Sequence, residues 1–306
     1  MKVYRTKKAE KHIRETYDAL LQKWRIKFKE KMIETRYGNT HVTECGNEYG
    51  KPLVMFHGVG DDSALMWFYN ARALGEHFHL FAVDTIGGPG KSMIGERYNK
   101  EFDDVIWIDD ILDGLALKKA SFVGVSHGGY LVQLYALCRS ERVDKAISLA
   151  ASVPTESEGS PMKTMMKIFL PEALFPTKKN VKKLIIKLSG KHSEVLIENQ
   201  MIMEHYAWLL KGFNNMAMGY HKVRAFSEEE INKIRSKVYY LVGRDDPFEK
   251  LGGAEALKSE NMHVKFYSGV GHGINHEIAE EINQEIIEWV SGTNQKETVN
   301  DAIQAG

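Results

Sequence analysis

Ser126 stands between two glycines in the string Gly124-Val125-Ser126-His127-Gly128, directly after the apolar pair Phe122-Val123. A serine hydroxyl is a weak nucleophile at its free pKa, so a chain that uses one for acyl transfer must expose it on a tight turn and set a base beside it. Flanking glycines suit a strand-to-helix turn in which the serine backbone is strained and a side chain at 124 or 128 would collide with the neighbouring turn. The chain holds 26 glycines, enough for such a string to arise by chance. Its weight therefore rests on a strand before it, a helix after it and partners in a workable order.

The partners lie downstream. The run Val238-Tyr239-Tyr240-Leu241-Val242 ends in Gly243-Arg244-Asp245-Asp246-Pro247, and Val264-Lys265-Phe266-Tyr267 leads to Gly271-His272-Gly273. An imidazole at His272, titrating near neutrality, would take the Ser126 proton during attack and return it to the leaving group. A carboxylate from Asp245 or Asp246 would hold the proton on the far ring nitrogen and stabilise the imidazolium; adjacent carboxylates point in different directions, so only one can serve. His276 competes with His272 for the base. Upstream, Pro52-Leu53-Val54-Met55-Phe56 stops at His57-Gly58-Val59-Gly60, a loop whose backbone amides can face a developing oxyanion. The N–H groups of Val59 and His127 are the expected donors, and losing one such donor costs about two to three orders of magnitude in rate.

These groups need a frame. Ala120–Val125 reads as a strand buried on both faces, and Leu131, Leu134, Tyr135 and Cys138 recur at the spacing of the helix that follows. Eight strands are expected, near residues 32, 41, 54, 81, 123, 147, 240 and 265, with Tyr37-Gly38-Asn39 turning the first pair into a hairpin. From the third onward, strands alternate with helices, including 102–115 and a closing helix over 277–290, as in a mostly parallel sheet. Residues 1–30 hold an amphipathic helix, with Ile13, Tyr17, Leu20, Leu21, Trp24 and Phe28 on the face expected to dock on the core. The core comprises 31–152 and 236–293, a helical lid is inserted over 153–235, and 294–306 is a frayed polar tail. The insertion carries Met162, Met165, Met166, Met201, Met203, Met216 and Met218 with Phe169, Phe175, Tyr206, Trp208, Leu209 and Phe213. Much of that set is core packing, and a methionine-rich remainder suits a pocket that adapts to varied hydrophobic acyl or aryl groups. The lysines of 178–191 read as a solvated helix face without a specific acid partner.

Composition narrows the function classes. Formal net charge is +0 with 27% charged residues, which gives no reason to expect a polyanionic partner such as nucleic acid. Thr85-Ile86-Gly87-Gly88-Pro89-Gly90-Lys91-Ser92, after Asp84, is glycine-rich but lacks the spacing of a phosphate-binding or dinucleotide loop, so it reads as structural. No organic cofactor or metal is expected. Cys45, in an early strand, and Cys138, in a core helix, read as free buried thiols of a reducing compartment. The basic first residues precede no apolar signal core, and no segment is long enough to span a bilayer, which points to a cytoplasmic protein without stable membrane insertion. The oligomeric state stays open, a homodimer included.

The chain order serine, acid, histidine, with His57-Gly58 and Gly124 to Gly128, resembles the α/β-hydrolase superfamily across nearly the whole length. The resemblance implies an α/β fold with a mostly parallel eight-stranded sheet, flanking helices and an inserted helical lid. It also implies Asp246 as the acid, because Gly243 and Asp246 match the family's glycine, two residues, then aspartate. His272 follows the last strand in a Gly-His pair, the family position of the base, and His57 becomes a structural residue that holds the oxyanion loop. Glu156 and Glu158 lie where some relatives carry the acid and read as a solvated loop. Within the superfamily the chain is similar to bacterial carboxylesterases of the naproxen-esterase (carboxylesterase NP) type, from Thr35-Arg36-Tyr37-Gly38-Asn39-Thr40-His41-Val42 through Ala82-Val83-Asp84-Thr85-Ile86-Gly87 to Phe226-Ser227-Glu228-Glu229-Glu230. That likeness implies a serine carboxylesterase for small to medium hydrophobic esters. A serine nucleophile sets aside the haloalkane dehalogenases and epoxide hydrolases of this fold, which use aspartate. A lactonase or carbon–carbon bond hydrolase would use the same triad, and a non-catalytic ligand-binding protein is the alternative of another class.

Overall fold

The computed structural model describes residues 1–156, 168–170, 172, 174–248 and 253–293. Nine strands form one sheet among them: β1 (Phe28–Thr35), β2 (Gly38–Gly46), β3 (Lys51–Phe56), β4 (Phe78–Val83), β5 (Met93–Ile94), β6 (Ala120–Val125), β7 (Val143–Leu149), β8 (Val238–Gly243) and β9 (His263–Tyr267). The order is β1-β2-β4-β3-β6-β7-β8-β9, with β5 on β2. β1 and β2 pair antiparallel, whereas the pairs from β4-β3 through β8-β9 are parallel. The ninth strand is the addition to the expected eight. β5 is two residues long, too short to show alternation in sequence, and it pairs with Gly38 and Asn39.

The strand period separates two apolar layers. In β3, Leu53 and Met55 join the cluster that includes Leu80, Ala82, Val123 and Ile147, while Val54 and Phe56 join Phe81, Phe122, Trp107 and Tyr240 on the other face. Successive strand residues point to opposite faces, so a central strand covered on both sides must be apolar throughout. Every residue of β6 and β8 is buried.

Covering the sheet are α1 (Lys7–Leu21), α2 (Ser63–Met66), α3 (Ala71–Gly75), α4 (Asp104–Gly114), α5 (His127–Cys138), α6 (Lys178–Leu188), α7 (Glu194–Ile197), α8 (Gln200–Gly212), α9 (Glu228–Ile234), α10 (Gly253–Ser259), α11 (Ile274–Glu277) and α12 (Ala279–Ser291). Thr6 caps α1 by accepting from Ala9 N, and the buried stripe Ile13, Tyr17, Leu20, Leu21 continues the apolar core. A Cβ on Gly212 would lie 2.5 Å from Ala9 Cβ, so α1 and α8 pack backbone to backbone. Between β7 and β8 the described residues form helices α6 to α9 and no strand. No helix of the described residues is long and apolar enough to cross a membrane.

Several expectations need correction. The first helix stops at Leu21, where Arg25 takes φ +56° and Phe28 already opens β1. The hairpin turn is Arg36-Tyr37, one residue early, because Thr35 pairs with Gly38 and the Arg36 guanidinium grips Asp110 at 2.7 Å. The closing helix breaks at Ile278 into α11 and α12. Cys138 is exposed at the last residue of α5, while Cys45 is buried. Met216 and Phe175 are 72% and 69% exposed rather than packed. Lys187 does have an acid partner, Glu172 at 2.7 Å. Met162, Met165, Met166, Glu158 and the tail 294–306 lie outside the described residues.

Candidate active site

Ser126 joins β6 to α5 at φ +56° and ψ −116°, a left-handed backbone that costs a non-glycine residue about 1–3 kcal/mol. The turn is tight enough to dictate its neighbours. A Cβ on Gly124 would lie 2.1 Å from Gly128 O, and one on Gly128 would lie 2.4 Å from Phe56 O. Ser126 N donates to Leu149 O at 2.8 Å and Tyr130 N to Ser126 O at 3.1 Å, so the strained residue is anchored to β7 and to the first turn of α5.

The loop after β3 lies directly against this turn: a Cβ on Gly58 would sit 3.4 Å from Ser126 Cβ. His57 holds the loop, its Nδ1–H donating to Gly58 O at 2.8 Å and its Nε2 accepting from Thr85 N at 2.9 Å. Burial keeps the His57 pKa below the usual histidine value, which suits a neutral ring that donates from one nitrogen and accepts at the other. Val59 N has no hydrogen-bond partner among the described residues, and His127 N is the first amide of α5, which lacks an intrahelical acceptor.

Asp246, buried in the loop after β8, accepts from Phe248 N at 2.8 Å through Oδ1 and from His272 Nδ1 at 2.7 Å through Oδ2. Asp245 is exposed, and its N–H goes to Val270 O at 2.9 Å. The structure thus brings Asp246, not Asp245, to the ring. His272 Nε2 has no hydrogen-bond partner among the described residues. Burial opposes the charged imidazole, but the Asp246 carboxylate outweighs it and raises the His272 pKa above the ordinary value, with Asp61 and Glu277 acting in the same sense. The Phe248 ring, 4.4 Å away between centroids, covers the imidazole. His276 is buried with Nε2 donating to Met66 O at 2.8 Å, and burial lowers its pKa to about 4. It holds α11 to α2. Glu156 is exposed.

Residues that the sequence did not single out complete the setting. Glu277 accepts from Gly271 N at 3.1 Å and from Gly190 N at 2.7 Å, tying the His272 loop to the end of α6. His272 N donates to Leu188 O and Lys191 N to Gly269 O, both at 2.7 Å. The crossing is so close that a Cβ on Gly190 would lie 2.1 Å from Gly269 O. Asp61, next to Gly60, has its Oδ1 buried and without a partner among the described residues. Burial and the charge of Asp62 push its carboxyl up to about 7, while His205 and His272 pull it down, which puts it within electrostatic reach of the base. The one signal for it was the doublet Asp61-Asp62 just past the loop glycines. Asp84, read as structural, accepts from Tyr17, His41, Ser63 N and Lys91 N.

Ser126, Asp246 and His272 therefore follow β6, β8 and β9, all at the C-terminal ends of parallel strands, where open α/β sheets place their ligands. The arrangement offers a strained hydroxyl, an oriented imidazole with one nitrogen unengaged among the described residues, and the first amide of α5 directly after the hydroxyl.

Comparison with known proteins identifies the fold and the family. The profile of the family described as alpha/beta hydrolase fold matches residues 51–277. Carboxylesterase YbfK of Bacillus subtilis is 32% identical over 136 residues, a match spanning 44% of this chain and 46% of the relative. The uncharacterized carboxylesterase nap of the same organism is 27% identical over 286 residues, covering 90% of this chain and 91% of the relative. The crystal structure of naproxen esterase (carboxylesterase NP) from Bacillus subtilis superposes with a TM-score of 0.78 at 22% identity, covering 93% of this chain and 99% of that one, a likeness of fold.

Proposed function

The chain belongs to the alpha/beta hydrolase fold family, and from that premise we propose a serine carboxylesterase that cleaves small to medium hydrophobic carboxylic esters through an acyl-enzyme at Ser126. One observation carries the reading. His272 is held through Nδ1 by Asp246 at 2.7 Å while Nε2 is left without a partner among the described residues. That is the state of a general base waiting for a proton.

In the proposed reaction, Ser126 Oγ bonds to the ester carbonyl carbon as its proton passes to His272 Nε2, and the carbonyl π pair moves onto oxygen. The N–H groups of Val59 and His127 receive that oxyanion. When the pair returns, the C–O bond to the alcohol breaks and the alkoxide takes the proton from His272. Water then gives its proton to His272 and adds to the acyl-enzyme; collapse returns the proton to Ser126 Oγ and frees the acid. Asp246 stays ionised throughout and orients the ring. The steps use no metal or organic cofactor. In this reading the described helices α6 to α9 of the insertion act as the lid and a hydrophobic acyl or aryl group is the cargo; Met201, Met203, Tyr206 and Trp208 tie α8 to the apolar core.

Hydrolysis of p-nitrophenyl esters of graded acyl length by wild type and Ser126→Ala tests the reading. A pre-steady-state burst in wild type and its loss in the variant are expected. No turnover of any ester by folded wild type would sink the esterase reading; lactone and β-diketone panels would then separate the other hydrolases, and failure of a fluorophosphonate to label Ser126 would favour a binding protein.

A further inference from the structure

Asp104, His127 and His221 bring one carboxylate oxygen and two imidazole nitrogens within 4.8 Å of one another. We propose that these three side chains form a binding site for a single first-row transition-metal dication, zinc by preference, using the His127 ring and not the backbone amide assigned to the oxyanion.

The donors arrive from three separate parts of the chain. Asp104 opens α4, His127 opens α5, and His221 lies on the return from the insertion, past the short 3-10 turn Asn215–Met218. His221 is oriented as a metal ligand would be. Its Nε2–H donates to the Ile86 carbonyl at 2.7 Å while Nδ1 faces Asp104 Oδ1 at 2.5 Å. A ligating histidine almost always anchors its second nitrogen on a backbone carbonyl or carboxylate, which fixes the tautomer and aims the first nitrogen. Tyr98, Phe102 and Trp107 wall the His221 ring at centroid distances of 6.0, 4.8 and 6.1 Å and keep it from turning.

His127 supplies the independent sign. The residue is 8% exposed, and its Nε2 is buried without a partner among the described residues. Most buried side-chain polar atoms in native proteins are paired, and what sets His127 apart from the other unpaired ones here is that it lies within ligand distance of a carboxylate and a second imidazole. A purely structural network accounts for Asp104 with His221 but leaves His127 unanswered. Its ring meets His221 edge-on, 5.2 Å between centroids.

The donor set selects the ion. Two imidazoles and one carboxylate suit zinc, cobalt or nickel, whereas magnesium and calcium seek shells of oxygen. Zinc bonds of about 2.0–2.2 Å place tetrahedral donors roughly 3.4 Å apart. The 2.5 Å pair therefore opens slightly, and the third donor closes by side-chain torsion. On entry the ion replaces the one proton shared by His221 Nδ1 and Asp104 Oδ1, which leaves to solvent, and water completes the fourth position.

Equilibrium dialysis of the chelator-treated full chain against zinc, followed by metal analysis, tests the site, with cobalt as a spectroscopic stand-in. Expected are one zinc per chain, a higher Tm with zinc present, and visible bands of tetrahedral cobalt. Asp104→Asn and His221→Gln should each weaken zinc by more than the about 10–100-fold that loss of an outer-shell partner costs. Circular dichroism confirms that the variants are folded. Should either fail to fold, the cobalt-loaded wild type decides, because its paramagnetically shifted N–H resonances must show two imidazole ligands. Wild type without a stoichiometric ion, folded variants that bind as wild type does, or a cobalt spectrum with fewer than two imidazoles would each overturn the proposal.

Discussion

His272–Asp246 and His205–Asp62 are both 2.7 Å pairs, yet one is open to chemistry and the other is sealed. His205 is fully buried, and its second nitrogen meets Thr16 Oγ1 at 2.7 Å. Thr16 on one ring nitrogen and Asp62 on the other thus join α8 to α1 and to the Asp62 cap of α2. His272 is 19% exposed and, among the described residues, engaged through one nitrogen. His41 repeats the sealed pattern, with Asp84 on one nitrogen and Glu30 on the other, each at 2.9 Å. A carboxylate beside a histidine thus does not mark a base. An unengaged nitrogen is needed as well, and so is a nucleophile near it: His79, held by Glu44 through one nitrogen, has none among the described residues.

The sharpest way to break this contrast is at the nucleophile. Ser126→Ala should cost about four to six orders of magnitude in kcat, read by ester hydrolysis, because removing the attacking group leaves only binding and the oxyanion donors. Asp246→Asn follows at about 10⁴-fold, since the ring is then held in the wrong tautomer. His205→Gln has the same pair distance to lose but should act on stability, by about 3–5 kcal/mol in urea unfolding, because it takes the histidine partner from the buried Asp62 carboxylate. Its burst and its fluorophosphonate labelling should persist below the unfolding transition, and loss of the burst in folded protein would erase the distinction between the pairs.

The smallest effects concern pH. Because the His272 pKa is raised and the base must be neutral, kcat/KM should climb as pH rises through a value above 6.5. Ionised Asp61 helps hold the imidazolium, so Asp61→Asn should move that limb to lower pH, by roughly half a unit. The same variant has a signed effect on stability. A carboxyl raised to about 7 keeps a proton in the folded state that the unfolded chain has lost above its usual 3.8, so stability falls as pH rises between them. Asp61→Asn removes that loss and should stabilise the protein on the order of 2 kcal/mol at pH 8 and hardly at all at pH 4, measured by urea titration.

Much of the site was readable because it is written in local constraints. Gly124 and Gly128 are fixed by collisions under 2.5 Å, and the centres of β3, β4, β6 and β8 lay in apolar runs that the two-sided sheet requires. Asp61 was not readable, since its place depends on how the loop after β3 folds over the turn. The Glu277–Gly190 contact joins residues 87 apart in sequence, and nothing local to either announces the other. Cys138 followed the helical spacing of its neighbours, but the end of α5 reaches the surface. The break at Ile278 was hidden because apolar residues on both sides keep one stripe across α11 and α12.

The stitching of Leu188–Lys191 to the loop Gly269–His272 makes the seating of the base depend on a segment outside the sheet. In the proposed lid, parting at that seam would release the loop that aims His272, so opening at the opposite edge is the motion that keeps the base seated.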